Sequence, residues 1–198
     1  MSDLLKKDKE FVWHPFTQMQ TAPEPLELVR AKNTSLFTAD GKEYIDCNSS
    51  WWVNVHGHGN EHIGNAINEQ FKQIDHAIFA GATHPKAVEL AERIVQLLPN
   101  PLAKVFFSDN GSTAIEVALK MVFQYWHNKS QPKKRILALD GAYHGDTFGA
   151  MAVGQRGYFN EPFEHFFFDV DFIDFPTKDN EEELLNQAEN LFKSTEFA

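Results

Sequence analysis

Cysteine is almost absent from this sequence, because Cys47 is the single thiol among 198 residues. One cysteine excludes an internal disulfide and any metal site made of several thiolates. Long apolar runs are absent as well, so the sequence predicts no membrane-spanning helix, and residues 1–8 lack the apolar core of a secretory signal. These absences favour a reducing, cytoplasmic setting.

Positive charge is scarce relative to negative charge. The chain has 18 lysines and arginines against 28 aspartates and glutamates, a formal net charge of −10 at pH 7. Such a balance argues against a nucleic acid or an anionic membrane as partner. With 42% hydrophobic residues, no repeat and no low-complexity tract, the composition is that of a globular protein.

The order of predicted elements indicates an α/β protein. Short alternating runs predict an antiparallel meander with Asp40-Gly41 as a hairpin turn, and the later alternation of strands with helices favours a parallel sheet. Residues 1–24 are expected to be irregular because Pro15 and Pro23 lie within them and Pro25 follows directly. The predicted strands are residues 26–31, 35–38, 43–47, 105–107 and 136–139, with a strand or buried turn at 163–168; the predicted helices are residues 60–75 (capped by Asn60), 86–98, 113–126 and 181–193.

One stretch, residues 105–121, has the pattern of an anion site. A short apolar strand leads through Asp109, Asn110 and Gly111 into a helix, for which Thr113 and Glu116 have the spacing of a capping box. Helix starts of this kind present backbone N–H groups and a partial positive charge to an anion such as phosphate. Capped helix starts also occur in every α/β protein, and this one matches neither a Walker loop nor a dinucleotide fingerprint.

A second polar turn, residues 140–146, follows the next predicted strand. Ligands of parallel sheets lie at the carboxyl ends of the strands, so neighbouring strands would bring Ser112, Tyr143, His144 and Asp146 to one crevice. Tyr143 offers a flat ring for stacking. An anionic, planar ligand suits such a crevice.

Two further segments leave alternatives open. In an extended chain Trp51 and Trp52 point to opposite sides, so we expect one to pack inward and the other to face a cavity, unless both belong to the core. The aromatic arm around Phe16 is either a strap over the core or a lid over a pocket. His56, His58 and His62 could bind a metal, although no carboxylate or cysteine completes a spacing typical of zinc sites.

Five segments together resemble the N-terminal part of the class III aminotransferases, which are fold type I pyridoxal-phosphate enzymes. They occur in the order of that family and cover nearly the whole chain. The segments are WHPFTQM (13–19), SSWWVNVHGH (49–58), FAGATH (79–84), SDNGSTAIEVALKM (108–121) and YHGDTFGAM (143–151). The implied fold is a truncated α/β fold type I transferase, with an arm and β-meander of the small domain at 1–59 and the first part of a three-layer αβα large domain at 60–198.

The resemblance also implies roles for individual residues. Gly111 and Ser112 would hold the phosphate of pyridoxal 5′-phosphate, and Tyr143 would pack on its ring and reach the substrate. Trp51 would line the substrate pocket with Phe16 over it, and Asp146 would organise its polar wall. The motifs are most similar to members of the family that act in biotin biosynthesis, whose substrates are S-adenosylmethionine and 8-amino-7-oxononanoate and which are homodimers.

The sequence departs from the family pattern at two points. Phe16 replaces a tyrosine whose hydroxyl the family uses toward substrate, which leaves another class III ω-aminotransferase as an alternative. No lysine stands in the context of the family's Schiff-base lysine, so we expect no catalytic residue here and a chain that is inactive alone. A non-catalytic fragment that serves assembly is the second alternative, and a metal-dependent hydrolase is a distant third.

Overall fold

The computed structural model describes residues 1–194 and 197, and the chain divides into two compact units, Met1–Val88 and Glu89–Ala198. The helices are α1 Asp3–Phe11, α2 Ser49–Trp52, α3 Glu61–Gln73, α4 Pro85–Leu97, α5 Gly111–Asn128, α6 Phe148–Ala152 and α7 Glu181–Ser194, with a 3-10 helix at Glu161–Phe166; the strands are β1 Leu28–Lys32, β2 Ser35–Thr38, β3 Glu43–Ile45, β4 Ile136–Leu139 and β5 Val170–Ile173. The predicted assignment of residues 1–59 to a small domain and 60–198 to a large domain stays a prediction.

The antiparallel meander predicted for the first unit is confirmed. The strand order is β1-β2-β3, and Ser35 pairs with Lys32 on one side and Ile45 on the other. Residues 39–42 close the β2–β3 hairpin, where Gly41 N–H donates to the Thr38 carbonyl at 3.0 Å. The helix predicted after the meander is α3, and the Asn60 side chain caps it by accepting from Ile63 N–H at 3.2 Å.

The prediction of an irregular N-terminus is wrong for its first part, because Asp3–Phe11 form α1. Ser2 caps this helix, and Lys7 pairs with Asp3 one turn away at 2.8 Å. The three prolines all come after residue 14 and therefore cannot interrupt it.

The expectation of an extended chain at Trp51 and Trp52 is also wrong. Ser49–Trp52 form α2, a single turn in which all four residues have φ between 48° and 66°. These are left-handed values, and Trp52 N–H closes the turn on the Asn48 carbonyl at 2.7 Å. Both indoles are exposed, so neither belongs to the core.

In the second unit β4 and β5 are parallel, with Ile136 opposite Val170 and Leu139 opposite Ile173. The predicted strand at 105–107 is not formed, because in the described part of the chain these residues belong to no β-ladder. Residues 163–168 lie mostly in the 3-10 helix, and the strand of this region comes later, as β5. The buried apolar side chains of the described residues are Ile136, Ala150, Met151, Ala152, Val153, Leu184 and Phe197.

No helix among the described residues is both long and apolar enough to cross a bilayer.

Candidate functional site

The start of α5 carries the first half of the site. Asn110, in extended conformation, is the N-cap: its side chain accepts from Thr113 N–H at 2.9 Å, and Thr113 Oγ1 accepts from Asn110 N–H at 3.2 Å. The predicted box of Thr113 with Glu116 is therefore wrong, since Thr113 is the third helical residue rather than the cap. Among the described residues, the N–H groups of Gly111 and Ser112 have no hydrogen-bond partner, and they remain available to an anion.

The loop from Tyr143 to Thr147 forms the second half and is tied directly to this helix start. Ser112 Oγ lies 3.1 Å from Thr147 Oγ1 and accepts from Thr147 N–H at 3.1 Å. Gly145 has φ 115°, and a Cβ on it would lie 2.9 Å from the Cα of Ser112. Only glycine allows this approach without displacement of the loop.

Tyr143 is the exposed aromatic group of the site. Its ring is 77% exposed, and its hydroxyl donates to Asp146 Oδ2 at 2.8 Å. That hydrogen bond raises the pKa of the Tyr143 phenol, because the carboxylate beside it disfavours the phenolate. Tyr143 is thus held neutral, with its flat face toward solvent.

A single open cleft of about 730 Å³ joins these two halves. It is lined by Asn110, Gly111, Ser112, Ile115, Tyr143, His144, Gly145, Asp146 and Thr147. The structure therefore brings together Gly111, Ser112, Tyr143 and Asp146, as well as His144. A helix start with free N–H groups beside an exposed aromatic ring can bind a planar molecule that carries an anionic group.

Glu116 supports the site through a contact that the sequence interpretation missed. Its Oε1 accepts from Gly149 N–H at 2.7 Å and from Ala150 N–H at 3.3 Å, and so satisfies the first turn of α6. This contact fixes α6, and the loop before it, against α5. Its place three residues after Thr113 suggested a local cap, and nothing local to the sequence indicates a partner 33 residues away.

The other candidate residues, Phe16 and Trp51, belong to the first unit. Their ring centroids are 5.3 Å apart, and the Trp51 and Trp52 centroids are 6.5 Å apart. All three rings are mostly exposed. The role of Phe16 and Trp51 toward a substrate, and their membership of the site at Tyr143, stay predictions.

Ser50, the residue before Trp51, belongs to a hydrogen-bonded network that was not predicted. Asp46 accepts from Ser50 N–H at 2.9 Å and from Ser50 Oγ at 2.8 Å, and its Oδ2 is 2.8 Å from His58 Nε2. The bonds from the Ser50 N–H and from His58 lower the pKa of the Asp46 carboxyl to about 2. Among the described residues no group of three or more His, Cys, Asp or Glu could hold a metal ion.

Comparison with known proteins gives a consistent result. The profile of class-III aminotransferases matches residues 17–197. The chain is 57% identical over 165 residues, 83% of its length, to the adenosylmethionine-8-amino-7-oxononanoate aminotransferase of Synechococcus elongatus, and 37% identical over 207 residues, with 98% of the chain covered, to that of Aquifex aeolicus.

Solved structures agree with these relatives. The structure of the enzyme of that same name from Methanocaldococcus jannaschii aligns with 97% of the chain, with a TM-score of 0.86 and 32% identity. The aligned part is 45% of the Methanocaldococcus enzyme. An (S)-enantioselective ω-transaminase from Thermomicrobium roseum matches 96% with a TM-score of 0.82 and 28% identity, again over 45% of its length. The chain spans 39% of the Synechococcus relative and 46% of the Aquifex relative.

Proposed function

The chain belongs to the class-III aminotransferases, and from this premise we propose that its protein transfers an amino group from S-adenosylmethionine to 8-amino-7-oxononanoate, giving 7,8-diaminononanoate in biotin biosynthesis. The observation that carries the proposal is the cleft at the start of α5, where two free N–H groups lie beside the exposed ring of Tyr143. The names of the Synechococcus and Aquifex relatives support the choice of substrates.

The cofactor of this family is pyridoxal phosphate, and the residues of the cleft fit it. Its phosphate requires hydrogen-bond donors, and Gly111 and Ser112 supply two N–H groups at the positive end of an 18-residue helix. A Cβ on Gly111 would meet no atom within 4 Å, so open space lies over this helix start. Gly111 and Ser112 would therefore hold the phosphate.

The pyridine ring would lie along Tyr143, whose exposed face offers a stacking surface. Bound pyridoxal phosphate supplies an electron sink for the charge that develops when a substrate carbon loses its proton. Asp146 fixes the direction of the Tyr143 hydroxyl, and Glu116 holds α6 so that the loop keeps its distance from Ser112. In this proposal Trp51 and Phe16 bind the substrate and exclude water from it.

No lysine lines the cleft among the described residues. We therefore expect the 198-residue chain, assayed by itself, to transfer no amino group above background, because the family attaches its cofactor through a lysine. The same proposal makes the enzyme a cytoplasmic homodimer.

Cofactor binding can be tested without activity. Titration of the chain with pyridoxal phosphate, followed by the fluorescence and absorbance of the retained cofactor, should show saturable binding that inorganic phosphate competes away. Gly111→Pro should weaken it on the order of tenfold, since proline fits the first position of a helix but removes an N–H that would bond the charged phosphate. Glu61→Pro, which puts a proline at the first residue of α3 and does not change the lining of the cleft, is the matched control and should bind normally. Unchanged binding by Gly111→Pro would refute the phosphate assignment.

A second candidate function is favoured by one residue. Phe16 has no hydroxyl, and it lies against Trp51 in the aromatic group, so a more apolar amine could be the donor of another class III ω-aminotransferase. Comparison of kcat/KM for S-adenosylmethionine and for simple ω-amines, in the holoenzyme, distinguishes the two. A preference for simple amines would replace the biotin assignment.

A further inference from the structure

We propose that Asp46 is a positioning residue for the substrate wall: together with His58 it holds the left-handed turn α2 and so fixes the direction in which Trp51 faces. The inference rests on the proposed function only in assigning Trp51 to substrate binding. Asp46 itself touches neither substrate nor cofactor in this proposal, and it acts through Ser50.

The first support is the direction of the hydrogen bonds. Asp46 Oδ1 accepts from the Ser50 N–H, and Oδ2 accepts from the Ser50 hydroxyl and lies 2.8 Å from His58 Nε2. Three donors thus surround one carboxylate, whose side chain is only 5% exposed. Two of the three come from Ser50, the residue immediately before Trp51.

The second support is the conformation that these bonds hold. Ser50 and Trp51 have φ/ψ of 48°/55° and 66°/47°, inside a run of four non-glycine residues of positive φ. L-residues disfavour this region, and a left-handed turn persists only where surrounding contacts enforce it. Asn48 adds a backbone bond, from Trp52 N–H to its carbonyl at 2.7 Å, and a long side-chain bond, from Trp51 N–H at 3.4 Å, so Asp46 supplies the shorter of the side-chain restraints.

The third support is the contact that Trp51 makes with another strained aromatic residue. Trp51 lies against Phe16, which is itself a non-glycine residue of positive φ, 51°. Strained residues of this kind cluster at ligand clamps. Both residues of the pair are mostly exposed, whereas the Asp46 side chain is only 5% exposed, so in this proposal the network orients the Trp51 ring without itself reaching a ligand.

A hydrolytic triad is excluded by the order of the three groups. Nucleophilic catalysis requires the histidine between serine and carboxylate. Here the Ser50 hydroxyl donates to Asp46 at 2.8 Å, and its distance to His58 Nε2 is 3.5 Å. The carboxylate stands in the middle, which suits a structural clamp and not a proton relay.

Spectroscopy of the full chain tests the clamp without substrate or cofactor. The Trp51 and Trp52 indoles, 6.5 Å apart at 56°, couple their electronic transitions and should give a far-ultraviolet circular-dichroism couplet. Asp46→Asn should lose most of this couplet while the folded helix content is retained. Asp40→Asn is the matched control: Asp40 lies in the same unit, has its pKa lowered to about 2 and bonds Thr38 and Lys42, but does not touch α2.

A second variant keeps the test decisive if Asp46→Asn misfolds. His58→Ala removes one of the three donors and should reduce the couplet partly. A couplet that neither Asp46→Asn nor His58→Ala changes relative to Asp40→Asn would overturn the proposal.

Steady-state kinetics of the holoenzyme tests separately whether Asp46 influences substrate binding through Trp51. Asp46→Asn should raise KM for the amino donor on the order of tenfold and change kcat by less than about twofold, since a displaced binding wall weakens substrate and transition state alike. Equal KM and kcat values in the wild type and in Asp46→Asn would overturn the assignment of Asp46 to the substrate wall. A wild-type holoenzyme without aminotransferase activity would refute the proposed function, while the couplet would still decide whether Asp46 holds the turn.

Discussion

At the residue scale, the tightest approach in the cleft is that of Gly145 to Ser112. Gly145→Ala would place a methyl group 2.9 Å from the Ser112 Cα at a φ of 115°. We expect this substitution to displace the loop, lower the free energy of unfolding by about 1–3 kcal/mol and weaken retention of pyridoxal phosphate. Thermal unfolding and a cofactor titration measure the two effects.

A glycine in open space provides the control for this substitution. Gly157 has no positive φ, and an added Cβ there would meet nothing within 4 Å. Gly157→Ala should therefore change neither stability nor binding, and an equal loss in both variants would contradict the steric argument.

Two carboxylates in the first unit make stability depend on acid. The pKa values of Asp40 and Asp46 are about 2 in the folded chain against 3.8 for an unperturbed aspartate, lowered chiefly by hydrogen bonds from Lys42 and from the Ser50 N–H. Since the unfolded chain takes up these protons first, the stabilisation is complete above about pH 4 and is lost as pH falls toward 2.

Chemical unfolding at successive pH values between about 5 and about 2, where these carboxylates gain protons, measures the direction in which stability changes with pH. Stability should fall with acid in the wild type and fall less steeply in Asp40→Asn, which has lost one of the two proton sites. A slope that Asp40→Asn leaves unchanged would contradict the prediction.

At the scale of elements, the pair α5–α6 depends on Glu116. Glu116→Ala would leave the N–H groups of Gly149 and Ala150, which are buried, without an acceptor. We expect a loss of about 1–3 kcal/mol in the free energy of unfolding, and Glu116→Gln, which keeps one acceptor oxygen, should lose less. Denaturant unfolding measures both.

An exposed glutamate provides the comparison for Glu116. Glu189 pairs with Lys193 on α7 at 3.4 Å, with both side chains more than half exposed. Glu189→Ala should therefore cost less than about 0.5 kcal/mol. The interpretation of Glu116 fails if the two alanine variants unfold alike.

Elements with local signals could be predicted from the sequence. The stripe of Ile63, Ile67 and Phe71, with Asn60 as cap, gives α3 close to its observed bounds, and turn residues give the meander. Elements with distant causes could not be predicted: β5 is a four-residue strand defined by β4, and the left-handed turn α2 depends on Asp46. In the cleft, residue types and spacing predict Ser112 beside Tyr143, but the contact of Glu116 with α6 exists only in three dimensions.

At the scale of the whole molecule, exposed apolar side chains and net charge have opposite effects on the association of copies of the chain. On α3 the side chains of Ile67 and Phe71 are 64% and 66% exposed, which favours association. The net charge of −10 opposes it. Salt screens the charge and leaves the apolar attraction, so we expect the purified chain to associate more as salt is raised.

Light scattering at increasing sodium chloride measures this balance. Ile67→Glu, which adds charge to the apolar stripe, should reduce the scattering, and Glu69→Gln on the same helix should not. Scattering that falls with salt would mean that charge pairs, rather than apolar contact, hold the copies together.

The turn Ser49–Trp52 has a consequence in terms of chirality. The φ/ψ values of Ser50 and Trp51 are close to the mirror image of those of an ordinary α-helix, and Ser49 and Trp52 share their positive φ, so the turn suits D-residues better than the L-residues that occupy it. Chemical ligation of a segment with D-serine at position 49 would place the unnatural stereoisomer in its own preferred region. At this one turn, inversion of a stereocentre should relieve strain, whereas the same inversion within α3 or α5 should break the helix.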